Sequence, residues 1–465
     1  MRKFVIPEKE LSFIKALEIA GFPSYVVGGA VRDFLIGKEY NDIDIATKAT
    51  PSQIASVLLA EDKSIKLDFV GATFGVIIAD GVEIATFRND DYTASAFENH
   101  KDVRVSFVKD IETDLARRDF TINALAIDRR GKIIDLFGGS TDIDIKAIRF
   151  VGDPEKRINE DPTRILRAFR IATSLGFSID VSSWTAIVNN IHKIRKIAPE
   201  RVRLELFKAL KVKEAGTFFS FLAASGALEI LIPELAESLS HPGGKHHLEN
   251  VWEHNILVGD SISPKFPLVK LAGYLHDIGK PESFGYDEEK DNWHFHGHHH
   301  TGAKLTKKVL KRLRFSSSEV EKISGLVNFH MEGYKTGNKY TPKTVRKVLT
   351  KLDSVNVHID EFLRLRIADR KGNIARDPYS ISEIKVYIES FKKIEVPPFS
   401  VNDLVVSGGE LIHLFGFKPG RHIGEIHKFL LELVIENGAE FNVKNILIIE
   451  AKNFISVNGE RAWYK

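Results

Sequence analysis

The chain of 465 residues contains no cysteine, and this absence excludes disulfide bonds, thiolate metal sites and cysteine nucleophiles together. It also lacks an apolar run long enough to span a membrane, and its first 17 residues alternate charged with apolar side chains, unlike a secretion signal. Neither sign of charge is in large excess, because 66 basic residues face 63 acidic ones. Any nucleic-acid surface must therefore arise from local clustering of lysine and arginine. We expect a soluble, cytoplasmic protein of roughly two to four domains, without membrane contacts.

Two kinds of pattern divide the chain. Strand-like runs mix with short helical patterns up to about residue 145, and helical periodicity dominates from residue 146 onward. Turn-rich breaks follow at SHPGGKHH, residues 240–247, and at PPFS, residues 397–400. We therefore predict an α+β protein whose segments are residues 1–145, 146–240, 241–375 and 376–465.

Asp42 and Asp44 lie one residue apart in the run DIDIA, which is typical of a strand. Successive side chains of a strand point to opposite faces, so the aspartates share one face while Ile43 and Ile45 share the other. Two carboxylates this close repel each other unless a cation lies between them, and Mg²⁺ prefers such hard oxygen ligands. The simpler alternative is a polar strand edge or turn.

The dipeptide Gly28-Gly29 stands between the apolar run YVV and the helical pattern AVRDFLIG. A glycine turn at the start of a helix exposes backbone N–H groups that suit phosphate binding. Arg32, one turn into that helix, would add a charged donor for a triphosphate. The glycine turn alone is a weak signal. Followed thirteen residues later by the aspartate pair, it favours a phosphate site over a polar strand edge.

Three segments carry a resemblance to a known family. GGAVRD, DIDIAT and RRDFTINALAID, which begin at residues 28, 42 and 117, resemble the class II tRNA nucleotidyltransferases, a family of CCA-adding enzymes and bacterial poly(A) polymerases. The resemblance spans essentially the whole chain. It implies a polymerase-β-like nucleotidyltransferase head at 1–145, then an elongated helical body: a neck with a nucleobase-recognition motif at 146–240, an HD metal-binding domain at 241–375 and an RNA-binding tail at 376–465.

The resemblance assigns roles to residues of the head. Asp42 and Asp44 would be catalytic and hold Mg²⁺ for two-metal nucleotidyl transfer. Glu83 is either a third nearby carboxylate or a partner of Arg88. The residues implied to bind the nucleotide in the head are Gly28, Gly29, Arg32, Arg118, Asp119 and Asn123. The polar segment between Arg88 and Val105 has no strand or helix pattern and corresponds to a flexible family loop. CC-adding relatives tend to lack that loop, which argues against a CC-only enzyme.

A second nucleotide-binding group is predicted in EDPTRILRAFR, residues 160–170. Three arginines spaced by three residues line one side of a helix there. The resemblance implies a protein template for the base, in which Asp161 and Arg164 pair with the base, Glu160 and Arg167 orient them, and Arg170 contacts a phosphate or the scaffold.

Structural alternatives remain open beside these roles. Asp161 followed by Pro162 is also a good helix start, with the aspartate as the cap. Arg201 and Glu205 are spaced for an ion pair within one helix, and for them a structural role is the prediction.

Histidines concentrate in the third segment. Three sites, His254, the dipeptide His276-Asp277 and Asp369, match the H…HD…D pattern of HD-domain phosphohydrolases. The full set of predicted ligands is His254, His276, Asp277, His298, His330 and Asp369. Imidazoles and carboxylates together suit a divalent transition metal such as Mn²⁺ or Ni²⁺. Some family members with this domain hydrolyse 2′,3′-cyclic phosphates or phosphate monoesters, so the resemblance implies a second, hydrolytic activity.

The implied function is template-independent addition of CCA, or part of it, to tRNA 3′ ends from CTP and ATP. Because the sequence has no RNP motif, we expect recognition of RNA by shape and backbone. The basic stretches 304–314 and 343–351 are either RNA contacts or solvated helix faces. The alternatives are a bacterial poly(A) polymerase, an A-adding specialist, and an HD phosphohydrolase whose head only binds nucleotide. No oligomeric state follows from the sequence.

Overall fold

The computed structural model forms two compact units, Met1–Leu231 and Ile232–Lys465. The residues that it describes are 4–40, 42–92, 103–243, 248–289, 292–332, 341–375, 377, 382–383, 388–389, 391 and 400–458. The first unit combines a mixed sheet with helices, and the second is built mainly from helices. The predicted α+β class is therefore confirmed.

Seven short strands of the first unit form one mixed sheet. The strands of this unit are β1 Ser24–Val27, β2 Asp44–Thr47, β3 Leu67–Asp68, β4 Val76–Ala79, β5 Val82–Thr86, β6 Arg88–Tyr92, β7 Val103–Phe107, β8 Leu125–Ile127, β9 Ile133–Asp135, β10 Ala147–Ile148 and β11 Ser178–Ile179. Across the sheet the order is β3-β4-β5-β2-β1-β8-β9, in which β2 and β5 are parallel and the other neighbours antiparallel. The strands expected from YVV, VIIA, EIAT and ALAI are confirmed.

The DIDIA motif lies at the start of β2, in the centre of the sheet. Ile43 and Ile45 are buried, whereas Asp42 is exposed and Asp44 half-buried, so the predicted alternation is confirmed. The strand itself begins only at Asp44, and Asp42 precedes it. The reason is that β1 ends opposite Asp44, where Gly28 turns the chain into a helix and leaves the preceding residues without a ladder partner.

Helices surround this sheet and continue beyond it. They are α1 Glu8–Ile19, α2 Gly29–Ile36, α3 Pro51–Glu61, α4 Ile111–Ala116, α5 Gly139–Asp144, α6 Pro154–Glu160, α7 Thr163–Leu175, α8 Val181–Asn189, α9 Pro199–Ala209, α10 Gly216–Ser225 and α11 Ala227–Leu231. α7 packs against α9 and α10, with Leu166 and Phe169 fully buried. At its start, Asp161 accepts a hydrogen bond from the Thr163 N–H at 3.0 Å, as expected for a helix-capping aspartate.

The polar segment after Arg88 begins as a strand, so the expectation of irregular chain is wrong for its first residues. β6 and β7 pair antiparallel along their whole length. Asp90 lies 3.0 Å from the Nε of Arg88 and 3.0 Å from the Nη1 of Arg117. Because these guanidiniums compensate the carboxylate, a strand forms here without the apolar alternation that usually signals one. Residues 93–102 of the predicted flexible loop lie outside the described residues.

Over the residues that the structure describes, the second unit is built from helices and one hairpin. Its elements are α12 Pro233–Ala236, α13 Val251–Ser261, α14 Pro267–Leu275, β12 Gly285–Asp287, β13 Asn292–His294, α15 His298–Arg312, α16 Ser317–Phe329, α17 Pro342–Asp353, α18 Ile359–Gly372, α19 Gly408–Phe415, α20 Arg421–Asn437 and α21 Lys444–Asn458. α14 packs against α13, α16 and α18, while α19 to α21 enclose a core of their own around Leu411, Ile426 and Leu430. In the part of the chain that the structure describes, no helix has the length and apolar character of a membrane span.

The two basic stretches form α15 and α17, and several of their basic side chains pair with carboxylates of the same unit. Arg312 donates to both carboxylate oxygens of Glu234, at 2.9 and 2.7 Å. Lys343 and Lys347 both lie 2.9 Å from the carboxylate of Glu436. These pairs favour the structural interpretation of both stretches over direct RNA contacts.

Candidate active site and metal centre

A cavity of about 550 Å³ opens in the first unit where β1 passes into α2. Its charged lining consists of Arg32, Asp44, Glu83, Arg88, Asp90, Arg117, Arg118, Asp119, Asp161, Arg164, Arg167, Arg170 and Arg201. Eight of these side chains are guanidiniums and five are carboxylates, so cationic groups predominate. A cavity of this size accommodates a small ligand. The surplus of guanidiniums suits one that carries several phosphates.

Carboxylates converge at one end of this cavity. Parallel pairing of β2 with β5 sets Asp44 beside Glu83 on the same face of the sheet. Burial and the neighbouring carboxylates of Glu83 and Asp42 raise the pKa of Asp44 to about 6, although Arg118 opposes the shift. Carboxylates that repel one another in this way are stabilised by a divalent cation. Of the two interpretations of Glu83, the structure favours a third carboxylate.

The glycine turn lies directly beside these acids. Gly28 has a φ of +74°, a backbone conformation that favours glycine, and a Cβ at this position would lie only 3.1 Å from the Nη1 of Arg118. One turn into α2, the Arg32 Nη1 donates to the Asn123 Oδ1 at 2.7 Å. Gly28 therefore both forms the turn and leaves room for the Arg118 guanidinium.

Asp119 is held by an arginine from α7. The Arg167 Nε and Nη2 donate to the Asp119 Oδ2 at 2.8 and 2.5 Å, and the Asn123 Nδ2 donates to its Oδ1 at 3.3 Å. Burial alone would raise the pKa of Asp119, but the Arg167 guanidinium outweighs burial and holds this pKa below its ordinary value. The direct contact of Arg167 is thus with Asp119 rather than with Asp161 or Arg164.

Asp161 has a partner on a different helix. The Arg201 Nη1 and Nη2 donate to its two carboxylate oxygens at 3.1 and 2.7 Å. The predicted pair of Arg201 with Glu205 is therefore wrong, and Glu205 instead accepts from the Arg170 Nε at 2.5 Å. Because α7 and α9 pack against each other, each side chain meets a cross-helix partner in place of its neighbour four residues along the chain.

The cavity gathers most of the predicted nucleotide-binding residues. Those that line it are Gly28, Gly29, Arg32, Arg118, Asp119, Asn123, Asp161, Arg164, Arg167 and Arg170. Glu160 instead lines an adjacent cavity of about 450 Å³ and accepts from the Arg164 Nη1 at 2.6 Å. Asp42 is exposed beside Asp44 and is not part of the lining. Sequence reasoning missed Arg201 as the partner of Asp161, because only the packing of two helices brings them together.

A second cluster of ionisable side chains is buried in the second unit. His254, His276 and Asp369 form one group, and Asp277, His298 and His330 form another, with the ligand atoms of each group within 4.8 Å of one another. All six predicted ligands are thus brought together in two adjacent groups. Among the described residues, His294, His296, His299 and His300 belong to neither group.

The hydrogen bonds of three histidine rings leave their Nε2 atoms available to bind a cation. In His276, His298 and His330 the Nδ1 lies 2.8, 2.8 and 2.6 Å from the carbonyl oxygen three residues earlier. Such a bond assigns the proton to Nδ1 and leaves a lone pair on Nε2. The Nε2 atoms of His298 and His330 lie 3.2 Å apart, and the buried Nε2 of His276 makes no hydrogen bond. Lone pairs that converge in this way fit the ligand set of a divalent metal.

The electrostatics of Asp277 and His330 agree with this assignment, whereas His254 differs: burial would lower its pKa, but hydrogen bonds with Asp369 and Glu249 raise it to about 9. Burial would raise the pKa of Asp277, but Lys280, whose Nζ lies 2.6 Å away, and His276 hold it well below the ordinary value. Burial, with His276 as a neighbour, holds the pKa of His330 well below its ordinary value. The carboxylate is therefore ionised and this imidazole neutral near pH 7, and these are the forms that bind metals.

Comparison with known proteins matches three segments of the chain to described families. Residues 24–149 match the family described as Poly A polymerase head domain, residues 176–239 match the probable RNA and SrmB-binding site of polymerase A, and residues 246–356 match the HD domain. A CCA-adding enzyme of Ligilactobacillus salivarius is 30% identical over 454 residues, covering 96% of each chain. An A-adding tRNA nucleotidyltransferase of Deinococcus radiodurans is 30% identical over 427 residues, covering 88% of this chain and 90% of its own.

Solved structures share the fold. The CCA-adding enzyme of Bacillus stearothermophilus, crystallised with CTP, superimposes with a TM-score of 0.66 at 24% identity, and the match covers 98% of this chain and 100% of that one. The similarity at sequence level extends over nearly the full length of the relatives. The chain therefore belongs to the class II family of tRNA nucleotidyltransferases and poly(A) polymerases, and it carries an HD domain.

Proposed function

We propose that this protein is a template-independent tRNA nucleotidyltransferase that adds CCA, or part of it, to tRNA 3′ ends from CTP and ATP in the cytoplasm. The observation that carries the proposal is one cavity. Its lining contains Asp44 beside Glu83, the Gly28-Gly29 turn and more guanidiniums than carboxylates. The CCA-adding enzyme of Ligilactobacillus salivarius and the A-adding enzyme of Deinococcus radiodurans are each 30% identical to this chain over most of its length, so an A-adding specialist is the second candidate. We assign the head to residues 1–145, the neck to 146–240, the HD domain to 241–375 and the tail to 376–465.

In the proposed reaction the terminal 3′-hydroxyl of the tRNA attacks the α-phosphorus of the nucleotide. A P–O bond forms to the 3′-oxygen, the bond to pyrophosphate breaks, and the 3′-hydroxyl loses its proton. Asp42, Asp44 and Glu83 would hold Mg²⁺, which when bound neutralises charge on the attacking and leaving oxygens. Arg32, Arg118 and the N–H groups of the Gly28-Gly29 turn would bind the triphosphate.

Selection of the base is assigned to Asp161 and Arg164. A carboxylate and a guanidinium together offer the acceptors and donors that match the Watson–Crick edge of cytosine or adenine. Arg201 holds Asp161 by two hydrogen bonds, and Glu160 holds Arg164 by one. Arg167 would act through Asp119, to which it donates two hydrogen bonds, at the side of the ribose.

We propose a second activity for the HD domain, the hydrolysis of 2′,3′-cyclic phosphates or phosphate monoesters. The six buried ligands support a site for Mn²⁺ or Ni²⁺, which when bound would polarise the phosphate ester. Opening a cyclic phosphate by water forms one P–O bond to the water oxygen and breaks one to a ribose oxygen, which takes up a proton. Asp277 would help to hold the metal, and the Lys280 ammonium, 2.6 Å from that carboxylate, would attract the charged ester.

The test offers tRNAs that end before the first C, after C and after CC, with CTP or ATP supplied separately. We expect growth that stops after CCA. An enzyme that adds only the terminal A would identify the A-adding specialist, and a long adenosine tail on unrelated RNA would identify a poly(A) polymerase. The double substitution Asp42→Asn with Asp44→Asn should abolish incorporation and spare phosphate release by the HD domain. Full incorporation by this variant would refute the proposed catalytic site.

A further inference from the structure

The β12–β13 hairpin presents an aromatic face to solvent. Tyr286 lies opposite Trp293 across the hairpin, with ring centroids 4.6 Å apart, and Trp293 stacks on Phe284 at 4.6 Å. Phe284 and Tyr286 point to the same face because they are two residues apart along the strand direction. The three side chains, Phe284, Tyr286 and Trp293, are 36%, 45% and 45% exposed. The stacked pair of Phe284 and Trp293 and the Tyr286 ring, tilted by 51° against Trp293, therefore form one aromatic group that reaches water, and we call this group the aromatic stack.

This stack is connected to the metal ligands by direct contacts. Phe284 lies 5.8 Å from Phe295 between ring centroids. The Lys280 Nζ lies 5.4 Å above the Phe295 ring and 2.6 Å from the Asp277 carboxylate, and the Phe295 carbonyl oxygen lies 2.8 Å from the His298 Nδ1. The hairpin is therefore held in a defined position beside the metal centre.

A phosphate-binding centre next to an exposed aromatic stack suits a nucleotide, because the centre would bind the phosphate and the stack would bind the base. The flat π-face of any base stacks on aromatic side chains, which contributes about 1–3 kcal/mol per base. The phosphate ester would lie at the metal ligands, with Lys280 as a neighbouring cation.

We propose that Phe284, Tyr286 and Trp293 stack the base of a nucleotide whose phosphate ester occupies the HD metal centre. The ligand class is a nucleoside 2′,3′-cyclic phosphate or monophosphate, either free or at the 3′ end of an RNA. This proposal deepens the hydrolytic activity proposed above and rests on it for the reaction, but not for binding. It makes the hairpin the part of the HD domain that distinguishes nucleotides from other phosphate esters.

The first experiment compares two monoesters, 2′-AMP and glycerol 2-phosphate, as substrates of the full-length protein. Trp293→Ala should raise the KM for 2′-AMP about 5- to 150-fold, the range that base stacking of this size predicts. The KM for glycerol 2-phosphate should stay within about twofold, because this ester has no base. Trp293→Phe should retain most of the affinity. Ile449→Ala, which removes an exposed apolar side chain from α21, is the matched control and should change neither constant.

The second experiment measures binding without turnover. Titration of the full-length protein with 2′-AMP should quench tryptophan fluorescence, and the difference from Trp293→Phe isolates the signal of the hairpin from nucleotide bound elsewhere. Comparison of 2′-AMP with an RNA oligonucleotide that ends in a 2′-phosphate distinguishes a free nucleotide from an RNA end as the ligand, and an oligonucleotide that ends in a 3′-hydroxyl is the control without the phosphate.

The outcomes separate this proposal from the hydrolytic function. Quenching without hydrolysis would support the aromatic site and refute the hydrolase. Hydrolysis with an unchanged KM for 2′-AMP in Trp293→Ala would refute the aromatic site and leave the hydrolase standing. A change of oligomeric state in Trp293→Ala, seen by light scattering and accompanied by unaltered nucleotide affinity, would also refute the proposal, because the stack would then be an interface between copies of the chain.

Discussion

Replacing Arg201 by methionine tests whether the pairing of α7 with α9 sets nucleotide choice. The substitution keeps a long side chain but removes both donors that hold the Asp161 carboxylate, at 3.1 and 2.7 Å. Asp161 would keep its hydrogen bond from the Thr163 N–H, so the start of α7 would be preserved while the orientation of the carboxylate is lost. We therefore expect a defect in base selection with a folded protein.

The magnitude follows from the contacts that are removed. A bidentate pair that reads a base edge contributes about 1–3 kcal/mol of discrimination, so kcat/KM for CTP relative to UTP should fall about 5- to 150-fold. Burial would raise the pKa of Asp161, and Arg201 now holds that pKa below its ordinary value. Without Arg201 the carboxyl binds a proton more readily, so incorporation of CMP should be lost at a higher pH in the variant than in the wild type.

Single-turnover incorporation of CMP and UMP into tRNA that ends before the first C is the appropriate assay, from pH 5 to 8. Arg201→Lys should lie between the wild type and Arg201→Met, because an ammonium provides charge but not the planar fork. Arg195→Met removes the same side chain from an exposed position of the same unit and should have no effect. An unchanged ratio of CTP to UTP and an unchanged acidic limb in Arg201→Met would refute the role of Arg201 in positioning Asp161.

Three further predictions concern the second unit. His276→Ala should lower the transition-metal content of the purified protein, measured by mass spectrometry, and leave CMP incorporation within about twofold; unchanged metal content would contradict the ligand assignment. Gly279→Ala places a Cβ 2.2 Å from the carbonyl oxygen of His298, so the start of α15 must move, and urea denaturation should show a loss of about 1–3 kcal/mol, whereas an unchanged free energy of unfolding would contradict the close packing. Burial would raise the pKa of Glu234, yet Arg312 helps to hold it at about 2. Because that pKa is depressed, the pair stabilises the fold above about pH 4.5, and the stabilisation is lost as the pH falls towards 2. Arg312 is 37% exposed, so after screening Arg312→Met should cost about 1–2 kcal/mol at pH 7 and less at pH 3, and an equal cost at both values would refute the pairing.

Local patterns, together with the family resemblance, were sufficient to predict both candidate sites. The alternation in DIDIA places Asp42 and Asp44 on one face, and the glycine turn lies thirteen residues upstream because β1 and β2 are neighbours joined by one short helix. The three arginines of α7 line one cavity because residues three apart on a helix lie on the same face. The six candidate ligands of the HD domain could likewise be predicted from the types and order of the residues. Their spacing does not reveal that they form two groups of three.

The amino-acid sequence by itself determined which side chains are candidates for the chemistry, because the direction of a side chain along one strand or helix follows from its position in that element. Only the tertiary structure decided their partners: Glu83 beside Asp44, Arg167 on Asp119, Arg201 on Asp161, and the aromatic hairpin beside the metal ligands. The first three of these pairs join residues far apart in the chain. Strand register and helix packing, which result from the burial of many apolar side chains together, bring them into contact, and no local spacing encodes that outcome.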